Sequence, residues 1–113
     1  MEESHLSWSD FEKVEMRTGT IIEVDDFPQA HNSSYKLRID FGEFGVKKSS
    51  AQITDLYSKE SLLGKQIIAV VNFKPKQIAN FMSECLILGS IGEKGEVTLI
   101  KPELNTLNGS RIG

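Results

Sequence analysis

Two stretches of the chain carry side chains suited to gripping a partner. In Lys47-Lys48-Ser49-Ser50-Ala51-Gln52-Ile53-Thr54, positions that a strand ordinarily fills with β-branched residues hold lysine, serine and glutamine. Their polar groups can reach a phosphate, a sugar or a peptide backbone. In the second stretch, Asn72-Phe73-Lys74-Pro75-Lys76-Gln77-Ile78-Ala79-Asn80-Phe81-Met82-Ser83, two lysines are interleaved with Phe73, Ile78, Phe81 and Met82. Pro75 keeps Lys74 out of the helical region and presets its own φ, so a stiff connection is expected. Apolar side chains on such a connection need cover, either from their own core or from a partner.

Catalytic chemistry is thinly represented. His5 and His31 have no Cys, Asp or Glu at a metal-ligand spacing, so no metal or other cofactor is expected. No Gly-x-Ser-x-Gly elbow, P-loop or Gly-x-Gly-x-x-Gly occurs. Asp25 and Asp26 are adjacent, and on a strand adjacent side chains point to opposite faces, so they are poorly placed to share a site. The single cysteine, Cys85, excludes an internal disulfide and a cysteine-cluster zinc site. Within Cys85-Leu86-Ile87-Leu88 it is expected to be a buried, inert thiol. The inventory suits binding and not an enzyme.

At 113 residues, 39% hydrophobic and 26% charged, the chain is expected to form one domain over 1–113, with a short helical extension at about residues 1–13. A net charge of −3 argues against a wholly basic nucleic-acid binder. The charge is uneven, however: residues 46–76 hold Lys47, Lys48, Lys59, Lys65, Lys74 and Lys76 against only Asp55 and Glu60. A basic region in an acidic protein can steer an anionic partner to one face. The opening Met1-Glu2-Glu3-Ser4-His5-Leu6 lacks an apolar core, so no secretory leader is expected. Ile67 to Val71 is far short of the roughly 20 apolar residues a membrane span needs. A soluble, cytoplasmic protein with no membrane insertion is the expectation.

The elements that must position these residues read mainly as strands. Tyr35-Lys36-Leu37-Arg38-Ile39-Asp40-Phe41 alternates without a break, with Tyr35, Leu37, Ile39 and Phe41 on one face. Thr18 to Val24 and Val46 to Ile53 flank it as strands, with Gly42 to Gly45 as the connection to the latter. Gln66 to Phe73 is a continuous apolar run, as in a strand covered on both sides. Leu86 to Ile91 and Val97 to Ile100 complete the set around the turn Gly92 to Gly95. Ser9-x-x-Glu12 suggests a capping box for a short opening helix bearing Trp8 and Phe11, which would plug one end of the sheet. Ser58 to Leu63 before Gly64 suggests a second helical turn. No βαβ rhythm is present. The economical solution is all-β: an OB-fold, a five-stranded Greek-key barrel with short N-terminal and mid-chain helices.

At three places the chain resembles a known family. Asp10-Phe11-Glu12-Lys13-Val14-Glu15-Met16-Arg17-Thr18-Gly19-Thr20-Ile21 is similar to the opening of the tRNA-binding OB-fold family, which includes appendages of methionyl- and tyrosyl-tRNA synthetases. Gly64-Lys65-Gln66 to Val71-Asn72-Phe73-Lys74-Pro75 and Ser83 to Leu88-Gly89 resemble two further hallmarks, in the right order. Within the family, Tyr35-Lys36-Leu37, Lys48 to Thr54 and Ala69 to Phe73 look more like its small chaperones associated with protein export. Where tRNA-binding members usually carry glycine, this chain has Asn80 and Cys85. Where they carry basic groups, it has Ala79.

The resemblance implies a homodimer built partly from the chain ends, where Leu6, Trp8, Leu104, Leu107 and Ile112 need cover. It implies a surface for unfolded polypeptide or preprotein clients lined by Ser49, Ser50, Gln52, Asn72, Phe73, Lys74, Ile78, Phe81 and Ser83. It also allows a link to export machinery. As the alternative, tRNA would be bound along Lys47, Lys48, Lys74 and Lys76.

Overall fold

The computed structural model describes residues 4–113; Met1 to Glu3, the first part of the expected extension, lie outside them. The central element is the long strand β1 (Met16–Asp26). Its second half pairs antiparallel with β2 (Tyr35–Asp40), and its first half pairs with β4 (Gln66–Val70). A strand can serve two neighbours in this way only if it bends across the core. A register shift between Ile21 and Glu23 and the bare backbone of Gly19 accommodate the bend. A Cβ at Gly19 would stand 2.6 Å from the Ile39 Cγ2 and 2.7 Å from the Phe41 ring.

β3 (Val46–Ala51) pairs with β2 on its other side, and β7 (Leu86–Ile87) pairs with β4, giving the order β3-β2-β1-β4-β7. The two ends of this sheet meet through a short seam. Glu84 N–H donates to the Lys48 carbonyl at 2.7 Å, while the Glu84 carboxylate accepts from Lys48 N–H at 2.8 Å. The Ser83 hydroxyl accepts from Ser50 N–H at 3.2 Å. The result is the expected all-β OB-fold barrel, nearly closed. Closure leaves few unpaired strand edges to template aggregation.

The core follows from the alternation in β2. Leu37, Ile39 and Phe41 are buried, together with Ile21, Ile53, Ile67, Ala69 and Cys85. Leu62, from α2 (Lys59–Leu62), joins the same cluster. Ser58 and Ser61 cap α2 reciprocally: each backbone N–H donates to the other's hydroxyl, at 3.0 and 3.1 Å.

Several expectations are corrected. The opening helix α1 (Trp8–Glu12) is capped by Ser7, whose hydroxyl accepts from Asp10 N–H, and not by Ser9. It buries none of its residues, and Trp8 is 83% exposed, so it does not plug the barrel. The stretch expected to be one strand from Leu86 to Ile91 divides at Leu88. Its N–H donates to Ile68 on the barrel, and its carbonyl accepts from Ile100 beyond it. Past Leu88 the chain forms a separate hairpin, β8 (Gly89–Ile91) with β9 (Val97–Leu99). The stiff connection is itself a hairpin, β5 (Lys76–Ile78) with β6 (Phe81–Ser83). The chain ends on β10 (Arg111–Ile112), which takes the edge of β1 that β2 leaves free. Ile112 is thereby half-buried.

Candidate functional site

The β5–β6 hairpin lies over the open side of β3 and creates a recess of about 370 Å³. Ser50 and Gln52 form one wall. Lys76, Ile78 and Ser83 come from the hairpin, Phe73 and Lys74 from the chain leading into it, and Cys85 and Leu86 from the start of β7. Phe73 is 57% exposed and Leu86 49%, so apolar area faces solvent at the mouth. Among the described residues, the charged ones that line the recess are Lys74 and Lys76. It therefore offers apolar contact, uncharged polar groups and positive charge together.

The strand pleat decides which of the candidate residues reach this recess. Residues directly opposite each other on paired strands share a face. Ser49 stands opposite the buried Leu37 and is itself buried, and its hydroxyl donates to the Cys85 carbonyl at 3.0 Å. Ser50 stands opposite Lys36, on the outer face. Ser49 is thus a structural link between β3 and the residue before β7. Asn72 is also engaged elsewhere: its carbonyl oxygen accepts from Glu15 N–H at 3.0 Å, and its amide donates to the Lys13 carbonyl at 2.7 Å. That pair holds the entry of β1 against the exit of β4. Phe81 lies away from the recess, edge-on to Phe27. Of the nine expected client residues, the structure brings Ser50, Gln52, Phe73, Lys74, Ile78 and Ser83 together and leaves Ser49, Asn72 and Phe81 outside.

The four candidate RNA-contacting lysines do not form one track. Lys74 and Lys76 line the recess, Lys48 lies beside Phe81, and Lys47 falls on the core-facing row opposite Ile39. Sequence reasoning missed Leu86 as a wall.

Cys85 closes the back of the recess. Burial pushes its thiol up to about 12; the Ser49 hydroxyl and the Lys47 charge act weakly the other way. At neutral pH it is a protonated wall and not a nucleophile. Among the described residues, no group of three His, Cys, Asp or Glu side chains could hold a metal ion. No helix among them is long and apolar enough to cross a membrane.

A nearly closed OB barrel with a solvent-open recess defines the class. The chain belongs to the tRNA binding domain family, whose pattern it matches over residues 16–111. Within that family it is similar along nearly its whole length to crystal structures of the chaperone CsaA. The Bacillus anthracis protein is 44% identical, with 97% of this chain and 100% of that one aligned and a TM-score of 0.93. The Picrophilus torridus protein is 50% identical, with 96% and 100% aligned and a TM-score of 0.90. Among curated proteins, a methionine–tRNA ligase of Nanoarchaeum equitans is 35% identical over 95% of this chain. This chain spans only 13% of that ligase.

Proposed function

We propose that this protein is a non-catalytic holding chaperone, acting as a cytoplasmic homodimer on non-native polypeptides, including preproteins bound for export. The observation that carries the reading is the recess itself: apolar walls open to solvent, uncharged donors and acceptors alongside, and a cationic rim. An apolar client side chain would enter against Phe73, Ile78 and Leu86. Ser50 and Gln52 would bond an extended main chain, and Lys74 and Lys76 would meet carboxylates. Main-chain bonds with side-chain pockets give affinity across many sequences, as a holding chaperone requires. End-to-end similarity to CsaA supports this reading over one drawn from the much longer ligases.

Phe73→Asp tests it, because a half-exposed side chain at the mouth can be replaced without opening the core. Suppression of aggregation by a chemically denatured client should fall severalfold while the melting temperature and oligomeric state hold. Unchanged suppression would remove the recess from the account.

A second reading, RNA binding, is favoured by the family match and the ligase relatives. With Lys47, Lys48, Lys74 and Lys76 all on phosphates, tRNA binding would weaken with salt at a log–log slope of about −3 to −4. The division of those lysines between separate faces argues for a smaller slope.

A further inference from the structure

Asn72 has no place in the recess wall, yet it stands directly before Phe73 and Lys74, which do. Its side chain occupies a particular point in the β1–β4 ladder. Met16 pairs with Val70, so the next residues outward, Glu15 and Val71, face each other. A hydrogen-bonded antiparallel pair exchanges two bonds, each N–H donating to the opposite carbonyl. Val71 N–H makes the first, to the Glu15 carbonyl at 2.9 Å. The second is diverted: Glu15 N–H donates at 3.0 Å to the side-chain carbonyl of Asn72, not to the main chain of Val71. The Asn72 amide in turn donates to the Lys13 carbonyl at 2.7 Å.

That diversion has a mechanical consequence. With the last donor of the ladder taken by a side chain, the main chain is released from the sheet after Val71. Among the described residues, the hydrogen bonds made by residues 71–74 run to Lys13 and Glu15 alone. Phe73 is more than half exposed, so core packing does not fix its place. The anchor is stiff by comparison. The Glu15 carboxylate accepts from Arg17 Nε at 3.0 Å, and the Arg17 guanidinium donates to the Gly109 carbonyl at 2.7 Å. The same guanidinium lies 3.7 Å from the centre of the Phe44 ring. Residues 13–15 therefore hold still, and the chain leaving β4 takes its direction from them. A Phe73 without that direction would have to be ordered at each binding event, which costs affinity.

We infer that Asn72 is a positioning residue of the recess: it touches no client and sets Phe73 at the mouth by tying the chain to residues 13–15. The inference rests on the client-binding reading and adds to it a residue that acts only through its neighbour.

The test is fluorescence anisotropy with labelled, reduced and carboxymethylated α-lactalbumin, a chain that stays unfolded, titrated with the parent and three variants. Asn72→Ala should weaken binding about fivefold, the scale of one lost hydrogen bond. Phe73→Ala should weaken it as well. The double variant should bind no more weakly than Phe73→Ala, because Asn72 then has nothing left to position. A role confined to stability would lower the melting temperature and leave the affinity of the folded chain at the parent's value, or add the same loss in both backgrounds. Asn72→Ser, smaller but still polar, carries the same cycle if alanine unfolds the chain; if neither variant folds, Asn72 belongs to the fold and the inference falls. Parent-like binding by Asn72→Ala, or losses that add in the double variant, would overturn the inference while the client-binding reading stands. If Phe73→Ala binds like the parent, or the parent binds no unfolded chain, both fall.

Discussion

Ser49 and Ser50 carry the same hydroxyl one residue apart, and the pleat sends one into the core and the other to solvent. The alternation of β2 carried enough information to separate them, because Ser49 must face the same way as Leu37 once the two strands pair. Asn72 is different. Nothing local marks it as a clamp on Lys13 and Glu15, since both partners lie far away in the sequence. Cys85 was legible as an inert buried thiol, and its environment yields a prediction. Its folded-state thiol holds its proton up to about 12, well above the ordinary thiol range. Stability from this site is therefore fully present below about pH 9. It is lost as pH rises through the window from about 9 to 12, at no more than about 1.4 kcal/mol per pH unit. Thermal melts from pH 8 to 10.5 should fall in the parent more steeply than in Cys85→Ala. Parallel curves would show that the thiol is not held as described.

The hairpin β5–β6 is the element that builds the recess, and it was the one least visible beforehand. Its central residues, Ala79 and Asn80, lack the glycine that usually announces a two-residue turn, and Pro75 suggested a connection without strands. Ile78 and Phe81 read as scattered apolar residues, although they are cross-strand partners. Ala79 nonetheless adopts φ = +51°, a left-handed backbone that burdens any residue with a Cβ. Ala79→Gly should relieve that strain and stabilise the protein by about 0.5–1 kcal/mol, even though glycine gains freedom in the unfolded chain. A chemical-denaturation midpoint that falls in this variant would contradict the strain. By contrast, β2 was readable from its unbroken alternation, and β4 from its apolar run, although the strand stops at Val70, short of the expected Phe73.

For the molecule as a whole, strand order and barrel closure could be anticipated because small all-β chains have few ways to hide their edges. Quaternary structure could not be read this way. Leu6, Trp8, Leu104 and Leu107 are each at least 70% exposed. The C-terminal pair is nevertheless held in place: Gln66 exchanges two hydrogen bonds with Thr106, and Thr20 donates to Asn108. Fixed, uncovered leucines suit an interface between two copies. Sedimentation at micromolar concentration should give twice the chain mass of 12.6 kDa, and Leu104→Asp with Leu107→Asp should return it to a single chain. A parent that sediments as one chain would refute the dimer.

The seam between β3 and residues 83–85 carries a consequence of its own. Two of its links run through the Glu84 carboxylate and the Ser83 hydroxyl, not through a backbone ladder. Like the clasp of a bracelet, it is where the cylinder can part while every other stave keeps its neighbours. The greasy cleft borders that clasp. Whatever loosens it would reshape the cleft as well.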